Sequence, residues 1–284
     1  MIAYLKQDYP VTTLCEVLDW SRSSIYYKTQ PKVNDGRLLV AIEQILMRYP
    51  FYGYRRVLHQ LRREGWLVGE HVVRRLLREM AHRPSVGKVR VQTTHSQHNY
   101  HRYPNLIRGI QAQRPHHIWV ADITYIRYGR QFWYLAVILD ACTRGVRGWH
   151  LSDSLEADTL TVTALHQALT HYEAPRIFHS DQGSQYACWQ HIELLLERGV
   201  HISMSEKGEP TQNGLAERFM RTLKEEHVDY TEYRDYEDAL TQLRHWLEVE
   251  YMTARIHSAL DYKTPLEFEL EAWANPPNPL LLVQ

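Results

Sequence analysis

The chain has 284 residues, 44% of them hydrophobic, which supports a globular core and, by length, one to three domains. Its 33 basic and 33 acidic residues cancel and as a total point to no partner, yet residues 1–115 carry 19 Lys and Arg against 8 Asp and Glu, about +11, and residues 116–284 carry 14 against 25, about −11. Three scattered cysteines, Cys15, Cys142 and Cys188, argue against a disulfide framework and a cysteine zinc site, and the longest apolar run, FWYLAVIL (132–139), falls far short of the ~20 residues a membrane span needs.

A basic half joined to an acidic one suggests a nucleic-acid-facing part attached to a chemically different part. The start, MIAYLKQDYP, lacks the apolar stretch of a signal peptide, so the expected location is the cytoplasm. Residues 11–29 read as two short helices broken at Asp19-Trp20-Ser21, and residues 1–36 as a helix-turn-helix-like segment. A longer basic hairpin follows within residues 37–82. Its first helix turns Val57, Leu58 and Leu61 inward and leaves Arg55, Arg56, Arg62 and Arg63 outward; Gly65 stops it. Its second turns Val72, Val73, Leu76 and Leu77 inward and leaves Arg74, Arg75 and Arg78 outward, an arrangement suited to DNA phosphates. A solvated helical face is the plain alternative. Residues 83–114, rich in His, Arg, Gln and Asn with no metal-ligand spacing, read as a basic linker.

From residue 115 the pattern becomes α/β. Segments 118–128, 131–141 and 145–153 predict an antiparallel meander joined by short turns. A helix over 154–172, a short strand over 175–181, a helix over 185–199 and a strand over 200–205 follow. The stretch GEPTQNGLAERFMRTLKEE (208–226) runs from loop into helix, and 235–252 predicts one more amphipathic helix. The order fits a mixed five-stranded sheet with helices on its faces over residues 115–270, ending in an irregular Pro-rich tail over 271–284.

Three carboxylates stand in unusual contexts. Asp122 interrupts the apolar strand WVADITYI, Asp181 ends the strand RIFHSD before a small-residue turn, and Glu217 opens a helix at the border of its apolar arc. A charge in a strand fit for burial needs a partner. Taken singly, Asp122 could pair with an arginine, Asp181 could cap QGSQYACW, and Glu217 could bridge to Arg221. Taken together, three gathered carboxylates repel one another unless a hard divalent cation, Mg2+ or Mn2+, joins them, and two such ions suit phosphodiester chemistry.

Asp122 and Asp181 are separated by 58 residues, Asp181 and Glu217 by 35, with Lys224 seven beyond Glu217. This pattern resembles the DDE core of retroviral integrases and bacterial transposases. More closely, WVADITYI, HSDQGSQY, NGLAERFMRTLKEE and RIHSALDYKTPLEF resemble orfB-type transposases of the insertion-sequence-three family, and YGYRRVLHQLRREG with VVRRLLREM resembles that family's helix-turn-helix segment. The resemblance spans about residues 11–270. It implies an RNase-H-like fold, catalytic and metal-binding roles for Asp122, Asp181 and Glu217, DNA contacts beside the site for Lys224 and Arg221, and two metal ions per site. Asp140, at the end of the second strand, is not among the three. Met252 stands where Asn is common and Asp261 where Gly is common, and His257 and Ser258 form part of an HSAL signature with no derived role.

The activity expected is cleavage of DNA at insertion-sequence ends and transfer of the released 3′-OH into target DNA by a homo-multimer, nucleoid-associated when bound and without a membrane. A fusion to, or partnership with, the product of an upstream reading frame is compatible with the resemblance. The alternatives are a catalytically silent DNA-binding regulator and a structure-selective nuclease of the same fold. No P-loop is present, so no nucleotide hydrolysis is expected.

Overall fold

The computed structural model describes residues 10–18, 35–84, 100–206 and 209–274; the second arm of the first predicted hairpin, much of the basic linker and the Pro-rich tail lie outside the described residues. Helix α1 (Val11–Leu18) is the first arm of that hairpin. Helix α2 (Asp35–Arg48), unassigned from the sequence, buries Leu38, Ala41, Ile42 and Ile45, the i, i+3, i+4, i+7 stripe of an amphipathic helix. Helices α3 (Tyr54–Arg63) and α4 (Glu70–Glu79) make the basic hairpin and bury Val57, Leu58 and Leu61 against Val73, Leu76 and Leu77. Gly65 closes α3 at φ 87, and the amides of Gly65 and Trp66 donate back to the carbonyls of Arg62 and Leu61, satisfying groups the helix end leaves open.

The sheet has strand order β3-β2-β1-β4-β5, built from β1 (Ile118–Tyr128), β2 (Gln131–Asp140), β3 (Val146–Ser152), β4 (Ile177–Ser180) and β5 (His201–Met204). β1 to β3 form the predicted antiparallel meander, while β4 runs parallel to β1 and β5 parallel to β4. One face packs Trp119, Ala121 and Phe178 under helix α5 (Thr163–His171), which opens through a π-helical turn at Asp158–Val162. Helices α6 (Ser184–Ala187) and α7 (Trp189–Glu197) cover the same face; the single helix predicted there is broken at Cys188, whose backbone is extended at φ −68, ψ 152. The opposite face packs Ile118, Val120 and Leu139 under helix α8 (Gly214–Glu226), helix α9 (Tyr236–Arg244) and the π-helical stretch His245–Ala254. Residues 104–106 cover the outer edge of β5: the Met204 amide donates to the Pro104 carbonyl and the Leu106 amide to the Ser203 hydroxyl at 2.8 Å.

Gly148 lies in β3 directly under α5. A side chain there would meet the Ala164 carbonyl oxygen and come within 2.9 Å of the Ala168 Cβ. Backbone cannot yield as a flexible side chain does, so Gly148→Ala is expected to cost about 1–3 kcal/mol of stability, read as a lower urea midpoint at unchanged slope.

Residues 271–274, expected to belong to the irregular tail, are helical. Helix α10 (Pro265–Ala274) starts with a reciprocal cap, the Thr264 amide donating to the Glu267 carboxylate at 2.9 Å and the Glu267 amide to the Thr264 hydroxyl at 3.2 Å. Glu269 then ties α10 to the core through the buried Arg147 and the Thr143 hydroxyl. Just before it, Asp261 takes φ 53, the left-handed region that glycine occupies at least cost. Met252, likewise, uses its sulfur to accept the Val146 amide at 3.3 Å.

The basic hairpin rests on this segment. Ile256 is buried in the hairpin's own apolar cluster, and its amide donates to the hydroxyl of fully buried Tyr52 at 3.4 Å. His59 stacks on Tyr262 at 3.5 Å between ring centres, and Arg63 pairs with Glu267 at 2.6 Å. The RIHSALDYKTPLEF stretch is thus the seat of the hairpin.

Candidate active site

Alternation along β1 sends Ile118, Val120 and Asp122 to the sheet face that α8 covers. Asp122 is partly buried, and its Oδ1 accepts the Ile123 amide at 2.8 Å, which fixes the side chain. The carboxyl is pushed up from 3.8 to about 8, first by burial, then by the negative charge of Asp181; Glu217 adds to the rise, while the Ile123 amide and Lys224 oppose it. The three carboxylates singled out by sequence therefore lie in one electrostatic neighbourhood, with Lys224 beside them.

Asp181 follows the last residue of β4, which pairs in parallel with the start of β1. Its Oδ1 accepts the Gly183 amide at 2.9 Å, so the small-residue turn QGS holds the carboxylate at the C-terminal end of this interior strand. Tyr186, in α6, lies near both aspartates: burial and then the charges of Asp122 and Asp181 raise its phenol well above the usual value. Its hydroxyl is buried without a hydrogen-bond partner among the described residues.

Glu217 stands in the first turn of α8. The helix is located by Asn213, a buried side chain whose Nδ2 donates to the Ala121 carbonyl at 2.9 Å, one residue before Asp122. The contact spans 92 positions and carries no local signal in the sequence. Arg221 is exposed on the same helix, and Lys224 is half-buried. Burial lowers the Lys224 ammonium, and Asp229 and Asp122 raise it in return.

All three acids supply hard oxygen donors, the type that divalent magnesium or manganese takes. Among the described residues no three acidic, histidine or cysteine side chains already close into a metal shell. What the arrangement does hold is concentrated negative charge, and a cation would relieve the cost registered at Asp122.

Asp140 belongs elsewhere. It is fully buried and clamps the β2–β3 turn by accepting the amides of His116, Cys142 and Thr143 at 2.6, 2.8 and 3.0 Å, with Arg147 at 3.5 Å. His179, two residues before Asp181, was not singled out from the sequence. Burial lowers it to about 4, and its neutral ring bonds the Ser203 hydroxyl at 2.8 Å, joining β4 to β5.

The seven hairpin arginines separate into groups. Arg56 and Arg63 pair with acids far along the chain, half-buried Arg56 with Glu226 at 3.0 Å and exposed Arg63 with Glu267. Arg74 pairs with Glu70 and bonds the Tyr54 hydroxyl, and Arg75 pairs with Glu79 at 3.4 Å. Arg55, Arg62 and Arg78 are exposed and outside any ion pair among the described residues.

The family model described as Integrase core domain matches residues 112–210, a second of the same description matches 198–265, and one described as HTH-like domain matches 33–87. The chain is 32% identical over 264 residues to the IS600 uncharacterized 31 kDa protein of Shigella sonnei, covering 90% of this chain and 97% of that one. It is 28% identical over 276 residues to the transposase InsF for insertion sequence IS3A of Escherichia coli K12, covering 92% and 94%. A solved structure of the HTLV-2 integrase catalytic core domain in complex with magnesium is similar over 55% of this chain and 98% of that one, at 19% identity and a TM-score of 0.43. A five-stranded 3-2-1-4-5 sheet behind a helical hairpin, integrase-core matches across the sheet and α8, and this identity over nearly the whole length of an insertion-element protein together place the chain in the insertion-sequence-three family of transposases, with its RNase-H-like core.

Proposed function

We propose that the chain cuts DNA at the ends of its insertion sequence and joins the released 3′-OH to target DNA, with Asp122, Asp181 and Glu217 as the catalytic carboxylates. The observation that carries this reading is the rise of Asp122 to about 8 through burial and the charges of Asp181 and Glu217: acids from a strand, a strand end and a helix act on one point. A half-buried acidic cluster with no cation or phosphate chemistry to serve would be a net cost to the fold.

Each residue has a task that its surroundings support. The Ile123 and Gly183 amides hold one oxygen of Asp122 and of Asp181, so the carboxylates enter the reaction already oriented. Asn213 sets the height of α8, and with it Glu217. Lys224, half-buried beside Asp122, and the exposed Arg221 hold DNA phosphate on either side of the reacting group. Arg55, Arg62 and Arg78 on the hairpin grip the element's terminal repeats. Magnesium or manganese ions, two per site and held by the three carboxylates, would supply Lewis-acid polarisation of the phosphodiester and activation of the attacking oxygen. In the first step a water oxygen bonds to phosphorus and gives up a proton while the P–O3′ bond breaks, the departing oxygen taking up a proton, which leaves a 3′-OH and a 5′-phosphate. In the second that 3′-oxygen bonds to a target phosphorus, loses its proton, and displaces another 3′-oxygen. No protein–DNA covalent bond forms. Pairing two ends requires a multimer on DNA.

A labelled terminal-repeat duplex incubated with the full chain and Mg2+ tests the reading. Joined product is the expected result. Cutting without joining identifies a nuclease, and binding without either identifies a silent regulator.

A further inference from the structure

A cavity of about 410 Å³ lies between the hairpin, the β2–β3 turn and α8, and its wall carries Arg56, Arg144, Arg218 and Arg255 together with His257 and Ser258. A second cavity, about 390 Å³, shares Arg56, Arg218 and Ser258 with it, so the two form one groove running along α8 toward the exposed Arg55.

The charges in this groove do not balance: Arg55, Arg56, Arg144, Arg218 and Arg255 line it against Glu225 and Glu226. Glu226, nearly inaccessible, serves two arginines at once: Arg255 through bonds of 2.5 and 2.8 Å, and Arg56 at 3.0 Å. His257 adds no charge, because burial and then Arg255, Arg144 and Arg56 press it down to about 2. Arg144 takes part in no ion pair among the described residues, and its Nε is buried without a hydrogen-bond partner. Burial lowers its guanidinium, the direction expected of a cation short of counter-charge. Its backbone sits at φ 62, the left-handed region that a residue other than glycine occupies at a cost. Asp140 and the Asp140–Gly145 backbone bonds hold this turn without help from the Arg144 side chain. A strained, half-buried arginine facing an arginine-lined groove is placed for a ligand.

We infer that this groove binds a phosphate group of the DNA backbone, with Arg144 and Arg218, which both line it, as the contacting cations. The assignment rests on DNA being the substrate. Arg218 adjoins Glu217 in the chain, so a strand held here runs along the helix that carries the proposed catalytic acid. The groove also gives the HSAL signature a role: it forms the floor beneath the phosphate.

The test uses the full chain and a fluorescent terminal-repeat duplex in EDTA, so that binding is read without chemistry. Affinity is measured against salt for wild type, Arg144→Gln, Arg144→Lys and Arg218→Gln. Each Gln variant is expected to lose several-fold in affinity at ~0.1 M salt and to reduce the slope of log K against log salt by about 0.9, one phosphate contact, whereas Arg144→Lys keeps the wild-type slope. Arg218 is exposed, so its variant stays folded even if Arg144→Gln does not. Wild-type slope and affinity in Arg218→Gln and in folded Arg144→Gln overturn the inference. So does inorganic phosphate that raises wild-type Tm at millimolar concentration through Arg144 while the DNA slopes stay unchanged, since the groove would then be a free-phosphate site. A wild type that binds no DNA at all fails the proposed function first; only then does the phosphate measurement decide whether an anion site remains.

Discussion

Asp181→Asn is expected to abolish DNA joining, by about 10³-fold or more, or about 4 kcal/mol of transition-state stabilisation, while leaving terminal-repeat binding within about twofold of wild type. The substitution is nearly isosteric. An asparagine oxygen still accepts the Gly183 amide that Asp181 now accepts at 2.9 Å, so the turn after β4 and the seat of α6 are preserved. Only the charge disappears. If Asp181 served as a local cap alone, joining would persist. Measured side by side, strand transfer and duplex anisotropy separate the two roles, and joined product above about one hundredth of the wild-type amount under Mg2+ would falsify the catalytic assignment.

Asp122→Asn has the opposite effect on stability. Between about pH 4 and pH 8 the folded chain keeps a proton on Asp122 that the unfolded chain has released, because the carboxyl is raised from 3.8 to about 8. The stability due to this group is complete below about pH 4 and is lost as pH climbs to 8. In EDTA at pH 8 the Asn variant, which never has to ionise, should exceed wild type by about 2–4 kcal/mol after allowance for partial solvent access, or roughly 4–10 °C in Tm. Its Tm should also depend less on pH between 5 and 8. Addition of Mg2+ should raise the wild-type Tm and leave the variant nearly unmoved. A wild type that is the more stable protein in EDTA at pH 8 contradicts this account of the buried charge.

Much of the core was legible because its signals are local. β-Branched and aromatic runs with short turns between them placed β1, β2 and β3 to within a residue or two. The apolar arc of 215–223 placed α8. The three carboxylates stood out because charges in or beside buried strands demand a reason, and their spacing supplied a resemblance. Helix α10 was equally legible, since Thr264-Pro265-Leu266-Glu267 spells a capping box with proline at the first helical position, but the prolines beyond it drew attention instead. The stripe of α2 was readable as well.

Other features had no local sign. No glycine or proline marks the break at Cys188, which is set by packing rather than propensity. The pairing of Arg56 and Arg63 depends on acids 170 and 204 positions away, and helical periodicity cannot tell an arginine aimed at DNA from one paired to another part of the chain. Nor could it show that Asn213 reaches back to β1. Contacts of this length arise only when the sheet has formed.

Glu217 opens α8 and Glu226 ends it, about 13–14 Å apart at 1.5 Å per residue. Arg56 of the hairpin holds the far end through Glu226, so one unbroken helix joins the hairpin to the proposed catalytic acid with no loop between them.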